Sequence, residues 1–495
     1  MAERETKLTA PAGFQMPELA GPDDGLLAEA QPERRYTTVY WDTPDHRLAR
    51  WDATLRHRDG EGWTVKLPGE LAGGLLEREE HTFQGGARKV PAEAAALLRP
   101  YVRGAELAPV ARSRTLRRPI VLRDAAGSQL AEVVDDEVQL LDGQRVTGAY
   151  RELEVELGEE ARPDVLDKVL PRLREAGASE TKDQRSKYLQ ALGEREPGPP
   201  ELVVTDLDEG ATVEELLRHD LAASARRVLG HLPAVRLDED PEAVHQARVG
   251  IRRLRSTLRT ARSVLDTDWV KHLRDELKWL ADLLGAVRDA DVLRARLEKR
   301  IGELPAEDQA DARRLVEQRL TDERDEARQR LLEGMDSDRY ARLLDDVVAA
   351  AQAPAVTEDA TRPAVEVLPP LVAKEYKRVR KAVRRAGDTP TDRALHRIRI
   401  RGKRTRYASE VAGLVAGRPA RRLAKAAERL QDVLGDQHDA VVAEAWLRDA
   451  AAAAPDTRLA AGELVAAERA AARQTRSSWR PRWSKLSSRK RTNWF

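Results

Sequence analysis

Up to about residue 192, apolar and polar positions alternate with period two in short runs broken by Gly and Pro, as at 37–41, 53–58, 63–67 and 152–157. That spacing sends successive side chains to opposite faces and predicts β-strands, with one helix around 163–176. Several short strands with turn signals suggest a barrel or a sandwich. Residues 194–200, Glu-Arg-Glu-Pro-Gly-Pro-Pro, cannot continue either kind of element and predict a linker over 193–207. Beyond it, Leu and Ala recur at helical spacing in long Arg- and Glu-rich segments, which predicts helical bundles over 208–495.

The helical part repeats itself. His245-Gln-Ala-Arg248-Val-Gly-Ile-Arg252-Arg-Leu-Arg255 returns 151 residues later as His396-Arg-Ile-Arg399-Ile-Arg-Gly-Lys403-Arg-Thr-Arg406. Leu280-Ala-Asp-Leu-Leu-Gly285 returns as Leu430-Gln-Asp-Val-Leu-Gly435, followed in frame by Arg288-Asp289 and His438-Asp439. Shared register over this length predicts two duplicated units, about 212–350 and 362–495.

Charge narrows the chemistry. Lys and Arg (86) nearly balance Asp and Glu (85), so attraction for polyanions must come from local clusters rather than a chain-wide field. With no cysteine, disulfides, thiolate metal sites and cysteine nucleophiles are excluded. A metal site must then use carboxylates or a few of the nine histidines, and carboxylates suit hard ions such as Mg2+ or Mn2+. The first residues lack a signal-peptide pattern and no apolar run is long enough to span a bilayer, so the expectation is a cytoplasmic protein without a membrane partner.

In the strand-rich part, Glu3, Glu5 and Lys7 share one strand face, as do Glu152, Glu154 and Glu156 on a later strand. Arg56 and Arg58 share another, with Lys66 following; Arg112, Arg114, Arg117, Lys182 and Lys187 add further cations. Such faces are expensive in an ordinary core. They suit a wet enclosure where guanidinium forks grip phosphate oxygens and carboxylates hold bridging cations. His46, His57 and His81 sit at no metal-ligand spacing and read as surface or turn residues.

Glu3-Arg-Glu5-Thr-Lys7 resembles the N-terminal Glu-x-Glu-x-Lys signature of the CYTH family, the triphosphate tunnel metalloenzymes. Tyr40-Trp-Asp-Thr-Pro44, Arg56-x-Arg58, Lys66, Glu154-Val-Glu156 and Ser186-Lys-Tyr188 are similar to family segments in order and spacing. The resemblance covers residues 1–192. It implies an antiparallel eight-stranded β tunnel barrel in an α+β two-part protein, and metal-assisted phosphoryl transfer. By the same resemblance Glu3, Glu5, Asp135, Glu154 and Glu156 are metal ligands, and Lys7, Arg56, Arg58, Lys66, Arg117 and Lys187 hold phosphates, with Glu3, Glu5 and Lys7 at the catalytic centre. Glu152 is not ranked against its neighbours, and Arg78, Arg112, Arg114 and Lys182 have no assigned place.

His245, Arg248, Arg252, Arg255 and Arg259 step by three and four along one helix face, beside an apolar face of Val244, Ala247, Ile251, Leu254 and Leu258. Like charges at that spacing repel, and a bound polyanion would relieve them. The doubled stripe resembles the CHAD domain, an α-helical domain named for its histidines. This implies two pseudo-symmetric four-helix bundles and inorganic polyphosphate as ligand, held by His245, Arg248, Arg252, Arg255, His396, Arg399, Lys403 and Arg406, with His438 nearby. The basic, Trp-containing C-terminus reads as a last bundle helix followed by a frayed tail.

The leading reading is therefore a triphosphatase acting on inorganic triphosphate or polyphosphate, associated with polyphosphate granules. A non-catalytic polyphosphate-binding protein, a thiamine triphosphatase and an adenylyl cyclase stand as alternatives. Nucleic acid is the disfavoured partner.

Overall fold

The computed structural model describes residues 2–21, 25–72, 75–158, 164–180, 186–193 and 197–495, without the side chains of residues 2–5, 70–78 and 455. The chain divides into two compact units, Met1–Glu201 and Leu202–Phe495.

The first unit holds β1 (Ala2–Ala10), β2 (Leu26–Ala30), β3 (Arg34–Asp42), α1 (Arg47–Arg50), β4 (Thr54–Arg58), β5 (Gly62–Lys66), β6 (Glu70–Ala72), β7 (Leu75–Phe83) and α2 (Ala92–Val102). It continues with β8 (Ala108–Asp124), β9 (Gln129–Asp142), β10 (Arg145–Leu157), α3 (Asp164–Glu175), β11 (Ser179–Glu180) and α4 (Lys187–Ala191). Eight strands close a ring in the order β1, β10, β9, β8, β3, β4, β5, β7 and back to β1, every pairing antiparallel. Where eight strands were expected, the sheet has eleven among the described residues: β2, β6 and β11 attach to β8, β7 and β1 outside the ring.

Alternation decides which face goes where. Leu8, Leu122, Val133, Leu153 and Val155 point outward and are fully buried under Val165, Leu166, Val169 and Leu173 of α3. Each such side chain contributes about 1.5–3 kcal/mol by leaving water, which fixes the register and turns the intervening polar residues inward. On another wall, His57 is buried with its ring edge-on to Trp63 at 5.1 Å. It is thus a core residue of β4 rather than the surface or turn residue expected from sequence. His46 does occupy a turn, at φ 54°.

The chain leaving the barrel stays attached to it as far as Glu201. That carboxylate accepts two bonds from the buried Arg103 guanidinium, at 2.6 and 2.9 Å, and one from Trp51 Nε1 at 2.6 Å. Arg103, at φ 57°, is 4% exposed.

The second unit contains α5 (Val213–Leu237), α6 (Pro241–Thr260), α7 (Thr267–Ile301), α8 (Ala306–Asp336), α9 (Asp338–Gln352), α10 (Ala364–Ala386), α11 (Asp392–Ala412), α12 (Arg418–Ala453), α13 (Arg458–Leu486) and α14 (Arg489–Thr492). It forms two pseudo-symmetric helical bundles: α5, α6, α7 and α9 begin 151 residues before α10, α11, α12 and α14. Caps set several of these starts. Thr212 and Glu215 form a capping box at α5, and Asp240, Asp266 and Thr391 cap α6, α7 and α11. The halves meet through a short antiparallel bridge in which Thr212 faces Pro363, its own counterpart 151 residues on. Val213 N donates to the Arg362 carbonyl at 3.0 Å and Ala364 N to that of Ala211 at 2.9 Å. In α13, Trp479 is buried and Trp483 stacks on Tyr376 of α10, against which Phe495 also packs. The C-terminal residues are therefore docked, not frayed. Among the described residues no helix is long and apolar enough to cross a membrane.

Candidate functional site

The inward face of the barrel gathers charge from seven strands and one helix. Lys7 of β1 lies opposite Glu154 of β10, and Glu152 of β10 opposite Asp136 of β9, which in turn lies opposite Arg117 of β8. Lys7 Nζ is 3.1 Å from Glu154 and 4.0 Å from Glu152. Lys187, the first residue of α4, reaches Glu154 at 2.9 Å and Glu152 at 3.6 Å, and also pairs with Asp136. Arg117 makes a fork with Asp136 at 2.7 and 2.9 Å and touches Glu154 at 3.3 Å. Across the ring, Glu80 of β7 joins Lys66 at 3.0 Å and Arg56 at 3.5 Å. Arg58 lies over the Tyr36 ring at 4.1 Å and pairs with Glu61 at 2.7 Å.

Burial alone would keep these carboxyls protonated. Lys187, Lys7 and Arg117 overcome it at Glu154 and hold that group well below the usual carboxylate range; Lys187 and Arg117 also lower Asp136. Glu152 goes the other way: burial first, then the adjacent Glu154 charge, push it up to about 7. Lys187, despite its own burial, is held above its ordinary value by Asp136 and Glu154. The cluster sets carboxylates against cations in a space largely closed to water.

A positioning role falls to the Trp-Asp-Thr-Pro segment. Asp42, fully buried, accepts from the amides of Thr43, Leu48 and Ala49 at 2.6, 2.9 and 3.0 Å, and from the Tyr188 hydroxyl at 2.6 Å. The same carboxylate thus shapes α1 and ties down α4, the helix that carries Lys187.

Several sequence expectations change here. Asp135 is not in the cluster: it points to the opposite face of β9, where Arg151 grips it at 2.6 and 2.7 Å. Its neighbour Asp136 occupies the inward position. Arg112 and Arg114 are exposed, on the face of β8 away from Arg117. Glu5 stands opposite Glu156 in the β1–β10 register, and Glu3 opposite Arg78 in the β1–β7 register. The side chains of Glu3, Glu5 and Arg78, and all of Lys182, lie outside the described residues. Sequence reading missed Asp136, Glu80 and Tyr36. Period two from Arg117 and Lys66 across to facing strands was the signal for the first two, but it needed the register.

Among the described residues no cluster of three acidic or histidine side chains forms a ready metal cage. The donor set nonetheless suits a hard divalent cation: Glu152 and Glu154 offer only carboxylate oxygens, and the buried Glu152 Oε1 has no hydrogen-bond partner among the described residues.

In the helical unit the two basic stripes face each other. Arg248 of α6 donates to the Gly285 carbonyl at 2.7 Å and to Asp289 at 3.1 Å, and a Cβ on Gly285 would lie 3.4 Å from its guanidinium. Arg399 stands against Gly435 in the same way, which explains why the Leu-Gly pair recurs in both halves. Burial, together with Arg399, Arg252 and Arg248, brings Lys403 down to about 8. The His396 and His438 rings are 4.4 Å apart, and burial with Arg399 pushes His438 down to about 4. Arg255 is lowered by burial and by Arg274, and His245 by burial. Buried Nε atoms of Arg252, Arg255 and Arg399 lack partners among the described residues. Arg406 departs from the expected set: Glu410 and Glu428 each hold it at 2.7 Å, so its charge is already answered.

Residues 1–187 match the CYTH domain family and residues 219–448 the CHAD domain family. The uncharacterized protein Rv2226 of Mycobacterium tuberculosis is 33% identical over 470 residues, spanning 87% of this chain and 85% of that protein. This chain belongs to the family of proteins that join a CYTH domain to a CHAD domain. CYTH domains are triphosphate tunnel enzymes, phosphate-related hydrolases and cyclases that generally use divalent metal ions. Among solved structures, PptA from Streptomyces chartreusis is 26% identical, covers 55% of this chain and 100% of its own, and superposes with a TM-score of 0.46. The CHAD domain from the plant Ricinus communis is 28% identical, covers 58% of this chain and 96% of its own, with a TM-score of 0.48.

Proposed function

We propose that the barrel hydrolyses inorganic triphosphate, or the end of a longer inorganic polyphosphate, and that the helical unit holds polyphosphate. The observation that carries the first part is the convergence of Lys7, Arg56, Arg58, Lys66, Arg117 and Lys187 on one enclosure that also contains Glu152, Glu154, Asp136 and Glu80. In this reading Arg56, Arg58 and Lys66 grip one end of the anion. Lys7, Arg117 and Lys187 exchange their carboxylate partners for phosphate oxygens at the other. Glu154 and Glu156, with Glu3 and Glu5 from the paired strand and Glu152 beside them, would hold a divalent cation, Mg2+ or Mn2+. Such a cation supplies charge neutralisation at the phosphoryl oxygens and makes water more acidic. In the hydrolysis of triphosphate a water oxygen bonds to the terminal phosphorus, the P–O bond to the bridging oxygen breaks, and the proton given up by the water ends on the phosphate products, orthophosphate and pyrophosphate.

The second part rests on the facing stripes, where cations held below their ordinary values have too few carboxylates to answer them. The packing of Trp483 and Phe495 against Tyr376 leaves those rings poorly placed to stack on nucleobases, which favours polyphosphate over nucleic acid.

The test is metal-dependent phosphate release from triphosphate, ATP, thiamine triphosphate and long-chain polyphosphate, with Glu3→Ala/Glu5→Ala as control. Triphosphate turned over fastest, and lost with the double change, is the expected result. Activity surviving that change removes the site. Undiminished long-chain polyphosphate binding by full-length Arg252→Ala/Lys403→Ala removes the role of the stripes.

A further inference from the structure

A third concentration of charge lies apart from the barrel and from the facing stripes. Between the C-terminal half of α10 and the N-terminal half of α11 is a cavity of about 280 Å³ lined by Arg378, Lys381, Arg385, Arg397 and Arg401, with alanines between them. No carboxylate lines it. Arg378 pairs with Glu375, while Lys381, Arg385, Arg397 and Arg401 have no ion-pair partner among the described residues. Other cations of the unit do have such partners. Asp238 and Asp291 answer Arg324, Glu468 answers both Arg296 and Arg300, and Glu276 answers Arg339.

The groove has a cause in the sequence, and its basic lining is not repeated in the other half. In the first half the position equivalent to Arg401 is Gly250, so tightly placed that a Cβ there would lie 2.6 Å from Val228 of α5. The position equivalent to Arg397 is Gln246. Replacing a close-packed glycine and a neutral side chain by two guanidinium groups lines the interhelical space with charge. On α11, residues 397 and 401 each lie two positions from Arg399, roughly 200° around the axis, so the groove is on the far side of the helix from that stripe. Arg404, lowered by burial and by Arg401, with Arg378 and Arg274 also repelling it, lies beside the groove.

The lining contains no aromatic ring and no side-chain hydrogen-bond acceptor, so it offers a ligand cationic donors only. Closely spaced phosphate oxygens do: guanidinium forks bind them in pairs.

We propose that the α10–α11 groove is a second phosphoanhydride site, which takes a stretch of an inorganic polyphosphate chain on the outer side of α11. This deepens the polyphosphate reading of the helical unit and rests on it.

The test uses the full chain at about physiological salt, where long-range screening is strong. Binding of long-chain polyphosphate, tripolyphosphate and a single-stranded dT oligonucleotide is measured for wild type, Arg397→Ala/Arg401→Ala, Arg397→Lys/Arg401→Lys and Arg252→Ala/Lys403→Ala. Removing the two groove guanidiniums should weaken long-chain polyphosphate binding by about tenfold. The lysine pair, which keeps the charge but not the forks, should lose less than the alanine pair, and triphosphate hydrolysis in the barrel should be unchanged. An alanine pair that binds polyphosphate like wild type overturns the groove, while loss in Arg252→Ala/Lys403→Ala alone leaves the facing stripes standing. If neither double variant loses affinity, the polyphosphate reading itself falls. Equal loss toward dT and polyphosphate overturns the assignment in favour of a general polyanion surface, and tripolyphosphate loss matching the long chain's makes the ligand a free short anion instead.

Discussion

Lys403 offers a quantitative test of the facing stripes. It lies among Arg399, Arg252 and Arg248, with Asp439 as the opposing charge, and burial together with those cations brings it down to about 8 from 10.5. That gap corresponds to about 3.4 kcal/mol of differential interaction between its two protonation states. A polyphosphate chain lying between the stripes supplies the missing negative charge and returns the ammonium toward its ordinary value. Binding then takes up a proton, and affinity must fall as pH rises through 8. Full restoration gives about a thirtyfold loss between about pH 7 and pH 9.5, and half restoration, allowing for solvent screening, about tenfold. The free protein responds with the opposite sign. Because the folded value is the lower one, the unfolded chain carries more protons between pH 8 and 10.5, so this group makes folding more favourable as pH rises through that window. Affinity is read by fluorescence anisotropy of labelled long-chain polyphosphate, and stability by urea unfolding, for wild type and Lys403→Met. A wild-type affinity that is level from pH 7 to 9.5, or a methionine variant that keeps the wild-type slope, refutes the reasoning.

Three further outcomes follow from the barrel. Glu154→Gln leaves Lys7, Lys187 and Arg117 short of a buried counter-charge; a loss of about 3–5 kcal/mol in urea unfolding is expected, together with loss of metal-dependent phosphate release. Tyr188→Phe removes the 2.6 Å bond to Asp42, with an expected cost of about 1.5–3 kcal/mol and a raised KM for triphosphate, because α4 carries Lys187; an unchanged KM would make that bond purely structural. Glu201→Ala strands the buried Arg103 and should lower the thermal midpoint of the barrel, while the double change with Arg103→Ala recovers part of the loss, a coupling a double-mutant cycle measures directly.

Period-two and helical spacing were enough to read the strand-rich and helical parts, and the 151-residue echo announced the paired bundles. Individual side chains were harder. Asp135 and Asp136 are adjacent acids on a strand with acids on both faces, so alternation alone cannot say which one points inward. The choice is made by pairing with β8 and β10, both of which carry register shifts, between Leu122 and Arg123 and between Val146 and Gly148. Arg406 looks identical to Arg255 in the repeat, yet Glu428 reaches it from another helix, a neighbour that no local pattern reveals. Gly285 and Gly435 were visible as repeated letters. Their reason, room for an arginine from the stripe of the same half, needed three dimensions.

The bridge at Thr212 and Pro363 carries an implication for ancestry and for assembly. Each strand of that seam meets its own duplicate, which is the geometry of an isologous contact between two copies of one polypeptide. A half-length chain beginning near either seam segment would present to a second copy of itself the edge it now offers to its covalent twin. The helical unit is thus built like a homodimer whose protomers were joined end to end. The join freed the two copies to diverge, and glycine on α6 against arginine on α11 is one product of that freedom.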